Sequence, residues 1–470
     1  MMHLAQAAQV LGGKLVAQGI VQDVKFSAVS SDSRAIAQGD LFVALHGENF
    51  DGSTFVASAA QSGAVAALVN TSSYEQRQAR SDTSSSLSHA QPAIPLLLVE
   101  DTRLALGRLA AHWRAQFKTP LVAITGSNGK TTVKEMLASI LRAATGSADT
   151  VLATVGNLNN DIGMPLTLLK LRQQHRYAVI EMGMNHPGEI DYLTRLTQPD
   201  VAVINNASGA HLAGLGTVEA VAHAKGEIFG GLSPQGVAVI NADDTHAPLW
   251  RELAHGHALI EFGLERKVAV YAQWQVRGYG AHITVMTPQG EFDTDLQVPG
   301  VHNVRNALAA TAAACALHIA PSTIAAGLRA FTGVAGRLQR KAALRGAVLI
   351  DDTYNANPAS LRSALKVLVQ SAGKKILVLG DMDELGSEAV RLHGEIGAEA
   401  RRMGVDEMLA LGELSAHAVH EFGKGAHHFE RIEDLLATLD KNLDAHSTVL
   451  VKGSRFMRME RVVQHCTVGQ

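Results

Sequence analysis

The sequence of 470 residues contains little cysteine, few aromatic residues and no strong excess of charge. Its two cysteines, Cys315 and Cys466, lie far apart in no metal-like spacing. They argue against a disulfide framework and fit a reducing compartment. Aromatic residues make up only 4%, too few to predict the stacking platforms on which single-stranded nucleic acids bind.

Charge and hydropathy exclude two further classes of partner. The 41 basic and 44 acidic side chains leave a net charge of −3, so there is no basic footprint for nucleic acid or an anionic membrane. No segment reaches the roughly 18 apolar residues of a membrane span, and residues 1–15 lack the pattern of a signal peptide. We therefore expect a cytoplasmic protein in which any positive charge that binds phosphate is local.

Short apolar runs alternate with helical patterns in the middle of the chain. Apolar residues after position 130 recur with the three-and-four spacing of one helix face. Strands that alternate with helices predict parallel pairing with right-handed crossovers. The predicted strands cover residues 121–124, 178–180, 201–204 and 237–240, and the helix face consists of Val133, Met136, Leu137, Ile140 and Leu141.

The last third of the chain repeats a simpler pattern of four buried runs, three of them followed closely by glycine. Glycine at the carboxyl end of a parallel strand permits a tight turn and lets a ligand approach the backbone. The pattern predicts a separate, small, doubly wound domain. Its runs cover residues 348–350, 376–379, 408–411 and 449–451, and the glycines are Gly380, Gly412 and Gly453.

The length suggests about three domains. We predict an α/β fold with a mixed α/β domain at residues 1–102, a central parallel-sheet domain at 103–317 and a C-terminal Rossmann-like domain at 318–470. Residues 71–95 are rich in serine, glutamine and alanine. Because they contain few large apolar side chains, we expect a low-complexity surface loop there. A regulatory or partner-binding segment is the alternative.

Residues 125–132 read T-G-S-N-G-K-T-T between a predicted strand and a predicted helix. The glycines permit backbone conformations that point several N–H groups at one anion, and the helix start adds its positive dipole end. The lysine can reach the β- and γ-phosphates, and the first threonine can ligate Mg²⁺. The pattern favours an ATP or GTP site over a glycine turn with a chance lysine. The residues concerned are Gly126, Ser127, Asn128, Gly129, Lys130, Thr131 and Thr132.

Three ionisable residues follow in the same domain. Glu181 ends a predicted strand, where ligands gather in open α/β sheets, and is a candidate Mg²⁺ ligand or else a capping acid. His211 taken alone is more often structural. Lys225, between Ala224 and Gly226, is a candidate partner for phosphate or carboxylate, with a surface lysine as the alternative.

With these residues assembled, the sequence resembles the Mur ligase superfamily of ATP-dependent amide-forming enzymes over essentially its whole length. The resemblance implies a UDP-binding first domain, a central P-loop ATPase domain and a C-terminal ligase domain. The motifs that carry it are the phosphate loop, G-N-L-N-N-D-I-G-M-P at 156–165, E-M-G at 181–183, His211 with A-K-G-E-I at 224–228, N-A-D-D at 241–244 and P-G-V-H-N-V-R-N at 299–306.

The resemblance also assigns residues of the reaction centre. It implies that Lys225 is carbamylated by CO₂ and supports a second Mg²⁺ beside His211, with Thr131 and Glu181 as further ligands. Lys130, Lys225, His211 and Arg337 are the implied catalytic residues. Nucleotide contacts are implied for the phosphate loop and for Asn241, His302, Asn303, Arg337, which reaches the γ-phosphate, and Asp352.

The two ends of the chain narrow the activity that the resemblance implies. S-S-D-S-R at 30–34 and G-E-N-F-D-G at 47–52 are similar to the UDP site, although a serine-rich turn is the alternative. D-D-T-Y-N-A-N-P at 351–358, L-G-D-M-D-E-L-G at 379–386 and V-K-G-S-R at 451–455 are similar to the member that adds D-alanyl-D-alanine. The implied substrate contacts are Ser31, Ser33, Arg34, Asn49, Asn159, Tyr354, Asn355, Asn357, Lys452 and Arg455. For Lys452 and Arg455 a solvated basic turn is the alternative.

The implied reaction joins D-alanyl-D-alanine to UDP-N-acetylmuramoyl-tripeptide through an acyl phosphate, with ATP and two Mg²⁺ ions and with the protein as a monomer. The third residue of the tripeptide, diaminopimelate or lysine, stays open. Two alternatives remain: a ligase of the same superfamily with another acceptor, and a P-loop NTPase that uses hydrolysis as a switch or motor.

Overall fold

The computed structural model describes residues 1–17, 24–47, 50–83, 94–209 and 212–467. Their contacts divide the chain into two compact units. The first comprises Met1–Leu121, Asp149–Met182 and Asp191–Gln198, and the second comprises Val122–Ala148, Gly183–Ile190 and Pro199–Gln470. The boundaries at residues 102 and 317 stay predictions.

Helices are distributed along the whole described chain. None of them combines the length and the apolar character that a membrane crossing requires, as far as the described residues extend. The α-helices are Leu4–Leu11, Val56–Gln61, Thr71–Thr83, Thr102–Arg114, Lys130–Thr145, Gly163–Leu168, Glu189–Thr197, Leu212–Leu215, Val218–Gly226, Ala247–Leu253, Val301–Ala316, Pro321–Ala330, Pro358–Leu368, Ala389–Arg402, Ser415–Phe422, Ile432–Asn442 and Glu460–Cys466.

The first unit contains a mixed sheet, as the sequence predicted. Its strands pair in parallel except for the first, and residues such as Phe42, Val69 and Leu98 form the core on one face. In sheet order the strands are Lys14–Val16, Leu96–Val99, Ala66–Asn70, Asp40–Val43 and Ala28–Ser30. Short antiparallel pairs join Met2–His3 to Lys25–Phe26 and His46–Gly47 to Phe50–Asp51, and Val151–Ala153 pairs in parallel with Tyr177–Glu181.

The prediction of a loop over residues 71–95 was wrong for its first half, because Thr71–Thr83 is an α-helix. Asn70 precedes it, and the Asn70 Oδ1 atom accepts hydrogen bonds from the Ser72 and Ser73 backbone N–H groups at 2.9 and 3.3 Å. Arg77 ties the helix down, since its Nη1 donates to Ser53 O at 2.6 Å. The composition did not predict this helix, which is held by a polar cap, by Arg77 and by Tyr74 packed against the core. Residues 84–93 lie outside the described part.

The second unit contains parallel strands that were predicted in the middle of the chain. The strands that follow them in the sheet pair in an antiparallel manner. Two tight connections, at Gly278-Tyr279 and at Pro288-Gln289, join three strands. The sequence analysis did not identify these strands, although alternating apolar runs bounded by glycine indicate hairpins. The strands pair in the order Leu121–Thr125, Val201–Ile204, Val237–Asn241, Ala258–Gly263, Val270–Arg277, Gly280–Thr287 and Gly290–Leu296.

The C-terminal sheet confirms the predicted doubly wound arrangement. Alternate residues of each strand, such as Ile350 and Leu349, belong to two separate apolar cores, one on each face of the sheet. All its pairings are parallel except that of the first strand. In sheet order the strands are Gln339–Ala342, Val348–Asp352, Ser447–Lys452, Lys374–Gly380, Glu407–Leu411 and Ala426–Phe429.

The helix Lys130–Thr145 confirms the predicted amphipathic pattern, because all five residues of the predicted face are buried. Leu137 is 0% exposed, and Leu104, on the helix Thr102–Arg114, is 48% exposed. We expect Leu137→Ala to lower the unfolding free energy by about 2–5 kcal/mol, because it removes apolar contacts and leaves a cavity. Urea denaturation measures the loss. Leu104→Ala is the matched control, with an expected change within about 0.5 kcal/mol. Equal losses for the two variants would contradict the burial argument.

Candidate nucleotide site

The phosphate loop makes the turn that the sequence predicted. The helix begins at Lys130, immediately after Gly129, whose φ of 81° lies in the left-handed region. A Cβ at Gly129 would stand 2.3 Å from Asn306 Oδ1 and 2.5 Å from Asn205 Nδ2. Glycine is therefore required here for two reasons, the backbone conformation and the close approach of two amide side chains.

Asn128 is held by polar groups that follow the neighbouring strand. Its backbone N–H donates to Asn206 Oδ1 at 2.9 Å, and its carbonyl accepts from Asn205 Nδ2 at 2.9 Å and from Asn206 Nδ2 at 3.0 Å. Its side-chain Nδ2 donates to Ser208 Oγ at 2.9 Å. The sequence analysis had not assigned these residues as partners of the loop. Asparagines at the carboxyl end of a strand beside a phosphate loop are a pattern from which such contacts could have been predicted.

A cavity of about 390 Å³ adjoins the loop. It brings together residues that the resemblance assigned to the nucleotide, from Asn128 to Asp352 in the sequence. Those among its lining are Asn128, Gly129, Thr132, Asn241, His302, Asn303, Arg337 and Asp352. Four other residues of the phosphate loop do not line this cavity: Gly126, Ser127, Lys130 and Thr131. Within the loop, Lys130 Nζ donates to the Gly126 carbonyl at 2.7 Å.

The amides near the cavity form a connected chain. Asn241 Nδ2 donates to the Asn205 carbonyl at 2.9 Å, and Asn205 Nδ2 donates to Asn306 Oδ1 at 2.9 Å. Asn306 Nδ2 in turn donates to Asn303 Oδ1 at 3.1 Å. Asn306 is a further residue that the sequence analysis left unassigned. The chain fixes the amide orientations on one wall of the cavity.

His302 is neutral at physiological pH. Burial, followed by the positive charges of Lys452, Arg305 and Lys366, lowers the pKa of His302 to about 4. The cavity lining contains both basic residues, Arg305, Arg337 and Lys452, and acidic ones, Asp243, Asp244, Glu265 and Asp352.

Arg337 lies where it can meet an anion in the cavity. Its guanidinium carbon is 4.0 Å from the centre of the Tyr354 ring, and its Nε has no hydrogen-bond partner among the described residues. The next residue, Leu338, has a φ of 51°, which is uncommon for leucine. Asp352 Oδ1 accepts a hydrogen bond from the Leu338 N–H at 3.2 Å, and Tyr279 Oη donates one to the Leu338 carbonyl at 2.9 Å. These two bonds hold the strained backbone that presents Arg337.

Lys452 is buried, which excludes the solvated basic turn for this residue. It is 2% exposed, and its Nζ forms an ion pair with Asp352 and donates to the Asn355 carbonyl at 3.0 Å. Burial raises the pKa of Asp352 and lowers that of Lys452, and the attraction between the two opposes both shifts. By contrast, Arg455 is 60% exposed and pairs with Glu460 at 3.0 Å.

Lys225 is not a surface lysine, because it is 0% exposed. Its Nζ has no hydrogen-bond partner among the described residues. Burial, with a smaller contribution from the charge of Lys130, lowers the pKa of Lys225 well below its ordinary value. A buried amine of this kind is neutral more readily than an exposed one, and it is then a nucleophile.

In the first unit, Glu181 ends its strand as predicted and is 2% exposed. Asn159 Nδ2 donates to Glu181 Oε1 at 2.7 Å, whereas Glu181 Oε2 is buried without a hydrogen-bond partner in the described part of the chain. An unsatisfied carboxylate oxygen is a suitable ligand for a hard cation. The described residues contain no cluster of three histidine, cysteine or acidic side chains that could hold a metal. Of the predicted Mg²⁺ ligands, Thr131 and Lys225 are neither histidine, cysteine nor acidic residues, and His211 lies outside the described residues.

The remaining predicted substrate residues are spread over both units. Arg34 is 88% exposed at its side chain and makes two bonds to Asp32, at 2.9 and 2.8 Å. Asn355 Oδ1 accepts from the Ala356 N–H at 2.8 Å. Ser31 and Ser33 are half-buried, and Asn49 lies outside the described residues. Their roles in binding stay predictions.

Family models match three segments of the chain. The model of the Mur ligase family, catalytic domain, matches residues 25–114, that of the Mur ligase middle domain matches 124–314, and that of the Mur ligase, glutamate ligase domain, matches 336–455. The chain belongs to the Mur ligase family. The three matches also confirm the predicted three-domain α/β fold class.

Individual relatives cover nearly the whole chain. The Haemophilus influenzae protein named UDP-N-acetylmuramoyl-tripeptide--D-alanyl-D-alanine ligase is 41% identical over 463 residues, which are 97% of this chain and 96% of the relative. The crystal structure of MurF from Acinetobacter baumannii is 37% identical with a TM-score of 0.86 and covers 98% of each chain. MurF from Thermotoga maritima in complex with ADP is 26% identical, with a TM-score of 0.78, over 94% of this chain and 97% of that one.

The buried pair of Asp352 and Lys452 predicts opposite pH responses for its two single variants. Lys452→Met should cost about 3–5 kcal/mol of unfolding free energy, because it leaves a buried carboxylate unpaired. A carboxyl group whose pKa is raised in the folded state loses stability as pH rises, so the cost should be larger at pH 8 than at pH 5. Asp352→Asn leaves a buried amine whose pKa is lowered, so its cost should instead grow as pH falls.

Urea denaturation at the two pH values measures both costs. The double variant Asp352→Asn/Lys452→Met carries no buried charge and should recover most of the loss. A double variant as unstable as the sum of the two single variants would show that the two residues act independently.

Proposed function

We propose that this chain is an ATP-dependent amide ligase that joins D-alanyl-D-alanine to UDP-N-acetylmuramoyl-tripeptide. The observation that carries the proposal is the cavity that collects the phosphate loop, Arg337 and Asp352. It occurs in a chain whose relatives over nearly their full length bear the name of that ligase. The setting of the reaction would be the cytoplasm, with the protein as a monomer.

The chemistry requires a carboxylate to become an acylating agent. A carboxylate oxygen of the tripeptide attacks the γ-phosphorus of ATP, the bond to the ADP oxygen breaks, and an acyl phosphate forms. The amine of D-alanyl-D-alanine then attacks the acyl carbon, phosphate leaves, and the nitrogen loses a proton. Both substrates of the first step are anionic and must approach to about 3 Å. Lys130 and Arg337 reduce that repulsion through their fixed positive charge.

Mg²⁺ would be held by Thr131, Glu181, His211 and Lys225, and it would supply further screening of the phosphate charge. The unpartnered Glu181 Oε2 and the unpartnered, buried Lys225 Nζ support this set. For Lys225 to be an anionic ligand, its neutral amine must add to CO₂ and release one proton, which gives a carbamate. Ser31, Ser33, Arg34 and Asn49 are proposed for UDP, and Tyr354, Asn355 and Arg455 for the peptides.

Substrate dependence tests the proposed reaction. Phosphate release from ATP and Mg²⁺ should require both UDP-N-acetylmuramoyl-tripeptide and D-alanyl-D-alanine, because water must not intercept the acyl phosphate. Mass spectrometry should show that the product gains one dipeptide. ATP turnover that is equal without either substrate would favour a switch or motor NTPase. Phosphate release that required the tripeptide together with an amine other than D-alanyl-D-alanine would support the acyl-phosphate reaction. It would contradict the assignment of D-alanyl-D-alanine as the amine substrate.

Carbamylation of Lys225 is tested with ¹³CO₂ and ¹³C NMR. A carbamate signal should be present near pH 8, below the ordinary lysine pKa of about 10.4, because the pKa of Lys225 is lowered. The signal should vanish in Lys225→Arg, whose guanidinium stays protonated. Lys134 is the matched control, since it is 1% exposed but pairs with Glu135 at 2.7 Å. A signal that survives in Lys225→Arg and is lost in Lys134→Arg would contradict the assignment.

A further inference from the structure

One hydrogen bond joins the phosphate loop to the C-terminal part of the chain. The side-chain Nδ2 of Asn357 donates to the side-chain Oδ1 of Asn128 at 2.9 Å, across 229 positions in the sequence. Both residues belong to the second compact unit. The sequence analysis had assigned Asn357 to peptide binding, and this contact gives its side chain a different partner.

Asn128 has its other polar groups satisfied by residues close to the loop. Its N–H, its carbonyl and its Nδ2 all bond to the segment Asn205–Ser208 that follows the adjacent strand. Its Oδ1 receives its donor from Asn357 instead. The acceptor that faces the C-terminal residues, Asn128 Oδ1, therefore belongs to a residue that is held firmly within the phosphate loop.

Asn357 is fixed just as firmly on its own side. It is the N-cap of the helix Pro358–Leu368, where its Oδ1 accepts from the Ser360 N–H at 2.8 Å. Its own N–H donates to Ser360 Oγ at 3.0 Å, which completes a capping box. Asparagine, aspartate and serine cap helices about equally well, but of these only asparagine also carries a side-chain N–H donor. The cap alone does not require asparagine, whereas an amide donor to Asn128 beside the cap acceptor is available only from asparagine among these three.

We propose that Asn357 is a positioning residue that makes the placement of the helix Pro358–Leu368 depend on the state of the phosphate loop. A nucleotide phosphate draws on the loop N–H groups, so it competes with Asn206 Oδ1 for the Asn128 N–H. Any shift of Asn128 moves the acceptor of Asn357. Tyr354, three residues earlier, lies under Arg337, so the same movement changes the support of that cation. The proposal rests on ATP as the ligand of the loop.

Kinetics separate this role from helix capping. Asn357→Ser keeps an N-cap oxygen and replaces the amide donor by a shorter hydroxyl, which should not span the distance to Asn128 while it caps the helix. We expect kcat to fall about three- to tenfold, the range for one neutral hydrogen bond, while KM for ATP changes less than twofold and the melting temperature is retained. Asp101→Ser is the matched control. Asp101 caps the helix Thr102–Arg114 through bonds to the Arg103 and Leu104 N–H groups, so the same cap exchange should leave kcat unchanged.

A double-variant cycle tests whether the contact itself carries the effect. In an Asn128→Ala background, Asn357→Ser should lower kcat less than twofold further, because its acceptor is already absent. Losses that multiply in the double variant would overturn the proposal, as would a melting temperature that falls in step with kcat in Asn357→Ser.

Hydrogen exchange gives a readout that needs no turnover. A non-hydrolysable ATP analogue with Mg²⁺ should slow exchange at residues 126–132 and alter it at residues 357–361 in the unaltered protein. In Asn357→Ser the first response should remain and the second should disappear. A response at 357–361 that is equal in both proteins overturns the role of Asn357. No response at 126–132 in the unaltered protein overturns the nucleotide site on which the proposal rests.

Discussion

The close approach of the phosphate loop to the asparagines around it is the constraint on which the rest of the nucleotide site depends. Gly129 leaves room for Asn205 and Asn306, whose side chains would collide with any Cβ there. Those amides then bond to each other and to Asn303, so the loop and one wall of the cavity form a single polar assembly. A side chain at Gly129 would displace the whole assembly, because buried amides that lose a partner are costly.

Two lysines of the second unit are buried in different surroundings. The chain carries a net charge of −3, yet Lys225 and Lys452 are both almost fully buried in the second unit. Their surroundings differ in one respect, since Lys452 faces Asp352 and Lys225 has no described hydrogen-bond partner. The paired lysine is a structural element of the cavity wall. The unpaired one is the lysine that the proposed function assigns to carbamate formation, and an amine buried without a hydrogen-bond partner is costly.

Sequence reasoning succeeded where one local signal determined the structure. The buried strands and the face of the helix after Lys130 follow from periodicity, and Glu181 at a strand end follows from topology. It failed for Thr71–Thr83, a helix held by a polar cap, one arginine and the packing of Tyr74 rather than by a long apolar face. It could not give the pairing of Lys452 with Asp352, because a basic turn and a buried ion pair look alike until the strands are placed side by side.

Several residues on the C-terminal side of the cavity are linked there by hydrogen bonds. Leu338 keeps its left-handed backbone between Tyr279 and Asp352, and Asn357 reaches Asn128. A neutral hydrogen bond contributes only about 1 kcal/mol net, and exchanging it for water costs little. In the proposed function, links of this strength let binding energy from a nucleotide shift the placement of Arg337, because a ligand shifts an equilibrium only by its differential affinity for the two arrangements.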